Sequence, residues 1–392
     1  MKLSTSFDTS INRLLTLQNE NTLFLSTWNK GTDHLEFSDA VIWPAVKQYS
    51  KLKNEYFFSD ELSEFKRSLV LNGVFPLSDS ELDCIGIFSN GTSAAMLALM
   101  SIKEIVSSLR AILIAPTYFT YVKILRDLDS DIYYYPIKFK GSLAQLPIDN
   151  IRECLACRKI NLVVLTIPLF GSGLSPEKEC VEELCAICEN AHCYLLIDYL
   201  YGGMEWFKRN TIENEWLWGL CLKHAYIIFV ESMCKRVFLN GIKSAIVGAS
   251  ADLIRQMEIK SVHLTGSLSY VQVEMLRELY SDGNTAFIES LIEKNIGYFH
   301  QNFEVLETLC RNTPVHILPC TEGYFCLAEI LNSSDKDNME TAIKILKRTN
   351  VMTIPHDRYL YFTPQKYTFR INLSVQKDTL LVGMRELLQL YF

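Results

Sequence analysis

The sequence lacks several features that would assign it to a membrane, secreted or nucleic-acid-binding class. It has no apolar run of about 18 residues, the length that predicts a membrane-spanning helix. Its first ten residues, MKLSTSFDTS, include no apolar segment of the secretory type. The formal net charge is −7, which argues against a nucleic-acid-binding surface as the main activity. We therefore expect a cytoplasmic protein with small-molecule partners.

Internal repeats and low-complexity linkers are also missing. Of the 392 residues, 49% are hydrophobic and 21% charged, so the chain can form one large or two medium domains with a substantial core. Cysteine, in contrast, is plentiful, with twelve residues. In a cytoplasmic chain of this length we interpret them as free thiols and not as a disulfide framework.

Some of these cysteines have a spacing that superficially resembles a zinc ribbon: Cys154, Cys157, Cys185, Cys188 and Cys193, with His192 beside the last. The second pair, however, falls inside a predicted helix over 176–191, for which Ser175 is the expected N-cap. There the cysteines mix with apolar residues as small core side chains do. We predict no metal site.

From Cys84 onward, strands alternate with helical stretches. The predicted strands are 84–88, 111–115, 131–135, 161–167, 194–198 and 225–230. This alternation indicates βαβ units, hence an α/β fold with a mostly parallel sheet flanked by helices. The C-terminal part, with a long helix over 286–309 and then short strands and helices, predicts a smaller α+β domain. Ligands of such sheets bind at the carboxyl ends of the strands.

The residues just past the predicted strand ends are chemically complementary. Gly91, Thr92 and Ser93 lie between a strand and a helix, where backbone N–H groups and the helix dipole favour a phosphate. Tyr118 offers an aromatic face, Asp198 a carboxylate and Tyr201 a phenol. Ser232 and Lys235 follow the next strand, and burial would lower the pKa of the Lys235 amine and make it nucleophilic. These are the groups needed to hold pyridoxal 5'-phosphate.

The chain resembles the fold-type I, pyridoxal-phosphate-dependent aminotransferases of class I/II. The matching stretches are NGTSAA at 90–95, APTYFTY at 115–121, PLFGSGLSPE at 168–177, LLIDYLYGG at 195–203, SMCKRVFLNGIKSAIVG at 232–248 and FRINLS at 369–374. Together they span about residues 50–375, in the order of the family. The resemblance implies a large cofactor-binding domain over 49–288, a small domain over 289–392, and an N-terminal segment, 1–48, that packs on the small domain.

The resemblance also implies roles for individual residues. Lys235 would form the internal aldimine with the cofactor, Asp198 would pair with the pyridine nitrogen, and Tyr201 would bond the phenolic oxygen. Tyr118 would stack on the ring, and Arg370 would bind the substrate α-carboxylate. The phosphate would be held by Gly91, Thr92, Ser93, Ser232 and Lys243. Tyr56 resembles a tyrosine that the partner subunit lends to the phosphate, which implies a homodimer with shared active sites.

Two departures from the family pattern concern the cofactor directly. The asparagine that usually bonds the phenolic oxygen is replaced by Pro168 or, in a register two residues later, by Phe170. Either residue lacks a side-chain donor, although Ser172 is a nearby substitute. The usual phosphate-binding arginine is Lys243, a point charge in place of a planar fork.

We therefore expect an aminotransferase that moves the amino group of an L-α-amino acid to a 2-oxo acid. A pyridoxal-phosphate lyase, cyclase or oxidase of amino-acid-derived biosynthesis is the alternative that the missing asparagine favours. A non-catalytic binding protein on the same fold is a third possibility, and the retained Lys235, Asp198, Tyr201 and Arg370 argue against it.

Overall fold

The computed structural model describes residues 12–26, 56–71, 77–140, 143–207, 213–331, 338–361 and 366–390. Its strands, in chain order, are β1 (Leu23–Phe24), β2 (Ile85–Phe88), β3 (Arg110–Ala115), β4 (Asp131–Pro136), β5 (Lys138–Lys140), β6 (Leu143–Gln145), β7 (Leu162–Thr166), β8 (Tyr194–Asp198), β9 (Ile227–Glu231), β10 (Ala245–Gly248), β11 (Val315–Ile317), β12 (Phe325–Leu331), β13 (Val351–Met352) and β14 (Lys366–Asn372).

The α-helices of the same residues are α1 (Asn12–Leu15), α2 (Ser63–Leu71), α3 (Gly91–Val106), α4 (Phe119–Asp127), α5 (Ile148–Arg158), α6 (Lys178–Asn190), α7 (Asn214–Lys223), α8 (Ala251–Leu264), α9 (Tyr270–Leu279), α10 (Thr285–Cys310), α11 (Asn338–Thr349) and α12 (Lys377–Leu388). No helix among them is long and apolar enough to cross a membrane.

A seven-stranded sheet, in the order β2-β10-β9-β8-β7-β3-β4, organises the larger part of the chain. Strands β4, β3, β7, β8 and β9 run parallel, and β10 is antiparallel to both of its neighbours. The predicted α/β fold with a mostly parallel sheet is confirmed. The antiparallel strand β10 was not predicted, because only four apolar residues follow a polar turn there.

Helices cover both faces of this sheet, and strand alternation divides the core accordingly. Leu195 and Ile197 pack in one apolar cluster, whereas Leu196, between them, packs in the cluster on the opposite face. Successive side chains of a strand point to opposite faces, so a strand buried on both sides is apolar throughout. A polar residue in such a strand is unusual, so Asp198, the last residue of β8, indicates that the apolar core ends there and that a functional site begins.

A three-stranded antiparallel sheet, β11-β12-β14, has its own apolar cluster with α10, α11 and α12. The short strand β1 pairs in parallel with β13, and Leu14 and Leu25 belong to this cluster. The N-terminal residues that the structure describes therefore pack on the C-terminal part. The domain boundaries at 48/49 and 288/289 stay predictions; the second falls inside α10, and the first lies outside the described residues.

The helix predicted over 176–191 begins later than expected. It starts at Lys178 with Glu177 at the N-cap position, so Ser175 is not the cap. The reason is that Pro176 forms an isolated β-bridge with Ala144, which keeps the chain extended up to that point. A parallel partner more than thirty residues upstream in the chain thus overrides the local capping signal.

Candidate active site

A cavity of about 410 Å³ opens at the carboxyl ends of β8 and β9, beside the N-terminus of α3. This is the edge of the sheet at which the sequence predicted a site. The lining includes most of the predicted cofactor-binding residues: Gly91, Thr92, Tyr118, Asp198, Tyr201, Ser232, Lys235 and Lys243. Three predicted residues, Ser93, Tyr56 and Arg370, are not part of the lining.

The N-terminus of α3 forms one end of the cavity. Asn90 caps the helix, because its Oδ1 accepts a hydrogen bond from the Ser93 N–H at 2.8 Å. The N–H groups of Gly91 and Thr92 belong to the first helical turn, where no acceptor within the helix is available. A Cβ on Gly91 would lie 2.3 Å from Leu200 Cδ1, another lining atom, so glycine keeps this end open. The arrangement suits an anion.

Asp198 is a buried carboxylate, held by two hydrogen bonds. The Tyr121 hydroxyl donates to Oδ2 at 2.9 Å, and the Leu200 N–H donates to Oδ1 at 3.1 Å. Burial raises the pKa of Asp198 from 3.8 to about 6, although these bonds and the positive charge of Lys235 act in the opposite direction. Such a carboxylate gains from a buried cation. A protonated pyridine nitrogen supplies one, so the donor chemistry here fits the cofactor.

Lys235 ends a 3₁₀ helix, Met233–Lys235, that follows β9 directly. Its Nζ donates to Asn240 Oδ1 at 2.7 Å and lies 5.2 Å from the centroid of the Tyr201 ring. Burial is the main cause that lowers the pKa of this amine. The amine therefore combines proximity to Asp198, a fixed position and an increased fraction of the neutral, nucleophilic form.

Ser232 shapes the turn that presents this lysine. Its hydroxyl accepts from the Cys234 N–H at 3.2 Å and donates to the Ser244 carbonyl at 2.6 Å. The second bond joins the end of β9 to the residue before β10. Lys243, the next residue back along the chain, is exposed and lines the cavity. The antiparallel return of β10 thus brings the two predicted phosphate ligands to the same end of the site.

Two tyrosines and a phenylalanine form the aromatic wall. Tyr118 precedes α4, and its ring centroid is 5.2 Å from that of Phe170, with 35° between the planes. Phe170 is also 6.1 Å from Tyr201, edge to face. Burial raises the pKa of the Tyr201 phenol to about 12, so the hydroxyl keeps its proton at neutral pH. It can therefore donate a hydrogen bond to an anionic oxygen.

The sequence leaves two residues for the position of the missing asparagine, Pro168 and Phe170. Phe170 lines the cavity, whereas Pro168 does not. Ser172 is buried and bonds within its own turn, donating to the Leu169 carbonyl at 2.8 Å and accepting from the Leu174 N–H at 3.2 Å. Phe170, which has no side-chain donor, therefore lines the cavity where the later alignment expects the asparagine. The Ser172 hydroxyl does not replace that donor, because it bonds within its own turn.

Arg370 lies behind this wall and is fully buried on β14. Its Nη2 donates to the Ser26 carbonyl at 2.9 Å. The guanidinium carbon lies 4.1 Å from the Phe325 centroid and 5.9 Å from that of Phe170. The guanidinium thus lies near Phe170, which lines the cavity, but is not itself part of the lining.

Tyr56 is not one of the residues that line the cavity. Its side chain is 75% exposed, and its ring stacks on Phe58 at 5.7 Å. Ser93 lies one residue beyond the lining, and its N–H is engaged by Asn90. Neither residue contacts the cavity of the same chain.

The structure adds three functional side chains that the sequence did not single out. Tyr121 bonds Asp198, Asn240 bonds Lys235, and Arg358 lines the cavity. Tyr121 could have been predicted from the sequence, because it ends the motif APTYFTY three residues after Tyr118, at helical spacing. For Asn240 and Arg358 the sequence gives no comparable signal.

The cysteines form no site of their own. All twelve are free thiols, and the pairs that resemble a zinc ribbon lie on helices α5 and α6. Within the described ranges, no group of three histidine, cysteine, aspartate or glutamate side chains is placed to hold a metal ion. Burial raises the pKa of Cys185 to about 12, in keeping with an inert core thiol.

This chain is similar to known proteins over most of its length. The family model described as "Aminotransferase class I and II" matches residues 85–387. Aspartate aminotransferase of Sulfurisphaera tokodaii is 21% identical over 285 residues, which cover 70% of this chain and 67% of that protein.

Solved structures share the whole fold. A double mutant of Thermus thermophilus aspartate aminotransferase has a TM-score of 0.81 at 14% identity, covering 99% of this chain and 97% of its own. A pyridoxal-phosphate-bound C-S lyase from Staphylococcus hominis has a TM-score of 0.77 at 14% identity, covering 99% and 96%. Fold and site together define a fold-type I enzyme that uses pyridoxal 5'-phosphate. The chain belongs to the class I and II aminotransferases and is a pyridoxal-phosphate-dependent aminotransferase.

Proposed function

We propose that this enzyme transfers the amino group of an L-α-amino acid to a 2-oxo acid, with Lys235 as the residue that binds the cofactor covalently and moves the substrate proton. One observation carries the proposal. Lys235 and Asp198 converge on a single cavity from the ends of β9 and β8, which are hydrogen-bonded neighbours in the sheet. Pyridoxal phosphate, when bound, supplies the electron sink that stabilises negative charge at the substrate Cα.

The phosphate is assigned to the end of the cavity at α3. The N–H groups of Gly91 and Thr92 supply donors there, and Lys243 supplies a charge. The Ser232 hydroxyl also lines this end, and it would donate to the phosphate by exchanging its bond to the Ser244 carbonyl. Ser93 supports the turn through its bond to Asn90. Because Lys243 is exposed and offers a single charge in place of a fork, we expect phosphate affinity to be sensitive to salt.

Asp198 and Tyr121 form a unit that holds positive charge at the pyridine nitrogen. A buried carboxylate whose pKa is raised to about 6 is poorly solvated, so it gains strongly from a cation at its open side. The Tyr121 hydrogen bond fixes the carboxylate orientation. Tyr118 would pack against the ring, and the Tyr201 phenol, which burial keeps protonated, would donate to the ring oxygen.

Lys235 would then hold and move the proton that leaves the substrate Cα. Burial lowers its pKa, which increases the fraction of neutral amine, and the hydrogen bond to Asn240 limits the directions in which it can move. Arg370 is assigned to the substrate α-carboxylate, because a planar guanidinium pairs with a carboxylate through two parallel hydrogen bonds.

The proposal extends to assembly and location. An aromatic side chain as exposed as Tyr56, outside its own site, suits a donor to the phosphate of a second copy, which implies a homodimer with shared sites. Domains over 49–288 and 289–392, with the segment 1–48 on the smaller one, would close over the substrate. Twelve free thiols suit a reducing cytoplasm.

The test is spectroscopic. Purified protein with pyridoxal phosphate should show a visible absorption band that borohydride bleaches, and Lys235→Ala should abolish it. Lys223→Ala, which removes an exposed lysine at the end of α7, is the matched control and should keep the band. A band that survives in Lys235→Ala would refute the assignment of this lysine.

The same preparation distinguishes the alternatives. Addition of an amino-acid panel should convert the band to that of the pyridoxamine form and release a 2-oxo acid. Ammonia or peroxide release without the pyridoxamine form would instead identify the lyase, cyclase or oxidase that the Phe170 substitution favours. If the band forms but no amino acid changes it, a non-catalytic binding protein is indicated.

A further inference from the structure

Arg358 contributes a positive charge to the cavity that the reaction described above does not use. It belongs to the 3₁₀ helix His356–Tyr359, which follows β13, and its side chain is half-buried among the lining residues. Its guanidinium carbon lies 4.1 Å from the centroid of Phe119, the residue next to Tyr118. Arg358 is therefore near the ring-stacking wall, on a different segment from the phosphate ligands.

The segment that presents Arg358 is fixed to the body of the protein. The Tyr359 carbonyl accepts from the Thr117 N–H at 3.0 Å, which ties the 3₁₀ helix to the turn before Tyr118. On the other side, the His356 ring bonds the Phe170 carbonyl at 3.1 Å. A guanidinium on such a segment is preorganised, so less entropy is lost when it binds a ligand.

The charge of Arg358 is also available. In the described part of the chain, no aspartate or glutamate forms an ion pair with Arg358. Its guanidinium lies over the Phe119 ring. By contrast, Lys235 has Asn240, and Arg370 is enclosed and bonded to Ser26. Phe119, over which the guanidinium lies, is one of several apolar residues that line the cavity. A low-dielectric surround strengthens the attraction to an anion, and a guanidinium suits a carboxylate.

We propose that Arg358 binds a second carboxylate, carried on the side chain of the substrate, and so makes dicarboxylic amino acids and 2-oxo acids the preferred substrates. The proposal rests on the proposed function, in which Arg370 takes the α-carboxylate. Arg358 is then a specificity-determining residue: it distinguishes an acidic side chain from its neutral amide.

The experiment compares matched ligands on the holoenzyme. Kinetics use glutamate against glutamine and aspartate against asparagine; calorimetry uses succinate against butyrate, which differ by one carboxylate and need no turnover. The variants are Arg358→Gln and Arg358→Lys. Arg158→Gln is the control, because Arg158 also lies over an aromatic ring, that of Tyr133 at 5.1 Å, but is exposed and outside the cavity lining.

Wild-type enzyme should prefer the acidic member of each pair and bind succinate more tightly than butyrate. Loss of one charge-assisted, bidentate contact should reduce these ratios about 10- to 100-fold in Arg358→Gln. Arg358→Lys, which keeps the charge but not the fork, should lose less. Arg158→Gln should match the wild type. Circular dichroism confirms that the variants are folded.

Two results would overturn the proposal. One is a wild type that does not discriminate between acidic and neutral partners. The other is an Arg358→Gln variant that loses activity and binding equally for both members of each pair, which would make Arg358 an α-carboxylate ligand or a structural residue. If no amino acid is converted at all, the proposed function fails, and the succinate and butyrate titrations still decide the role of Arg358.

Discussion

Replacing Asp198 by asparagine should change the stability of the cofactor-free protein in a pH-dependent way. Asp198 is buried, with 6% of its surface exposed, and burial raises its pKa from 3.8 to about 6. The folded state therefore binds this proton more tightly than the unfolded state. The contribution of Asp198 to the stability of the wild type is most favourable below pH 3.8 and is lost as the pH rises through 6, because the folded state must then hold a poorly solvated charge.

The size of the change in the free energy of unfolding follows from the pKa shift of Asp198. One pKa unit corresponds to about 1.4 kcal/mol, so the charged carboxylate costs about 3 kcal/mol above pH 7. At pH 5 the linkage relation gives roughly half of that cost. The asparagine variant carries no charge at any pH, but one hydrogen-bond donor, the Leu200 N–H or the Tyr121 hydroxyl, loses a matched acceptor. This costs about 1 kcal/mol, independent of pH.

The cofactor-free variant should thus be more stable than the wild type by about 2 kcal/mol at pH 8 and by only about 0.5 kcal/mol at pH 5. Urea denaturation at both pH values measures the two differences. Saturating cofactor should reduce this advantage by about 1.4 to 2.7 kcal/mol, since the variant cannot pair with the pyridine nitrogen and should bind pyridoxal phosphate about 10- to 100-fold more weakly. A difference in stability that stays the same from pH 5 to pH 8 would refute the reasoning.

Two further substitutions probe the cavity walls. Gly91→Ala places a Cβ 2.3 Å from Leu200 Cδ1, so Leu200 must move into the cavity. We expect about tenfold weaker cofactor binding by fluorescence titration, and Leu200→Ala in the same chain should restore it; failure to restore it would point to the helix N-terminus itself. Phe170→Asn supplies the missing donor and should lower the pH midpoint of the visible band of the holoenzyme. An unchanged midpoint would mean that Phe170 does not face the ring oxygen.

The strand and helix pattern of the large sheet was predictable because it depends on local composition. The apolar runs at 162–166, 194–198 and 227–231 are strands within two residues of the prediction, since a strand buried on both faces must be apolar throughout. The exceptions have a common cause. Pro176 stays extended because it pairs with Ala144, and β10 exists because β2 and β9 lie on its two sides. Such partners are distant in sequence and leave no local signal.

The amino-acid sequence was sufficient to infer the cofactor and the residues expected to hold it. Lys235, Asp198 and Tyr201 follow strand ends, and parallel strands bring their carboxyl ends to one edge of the sheet, so their convergence could be inferred without coordinates. The contacts that orient these residues and form the cavity walls depend on the tertiary structure. It placed the Tyr121 hydroxyl on Asp198, Phe170 in the cavity lining near Arg370, and Arg358 over Phe119. These contacts join residues from separate elements, and only the packing of the two sheets fixes their distances.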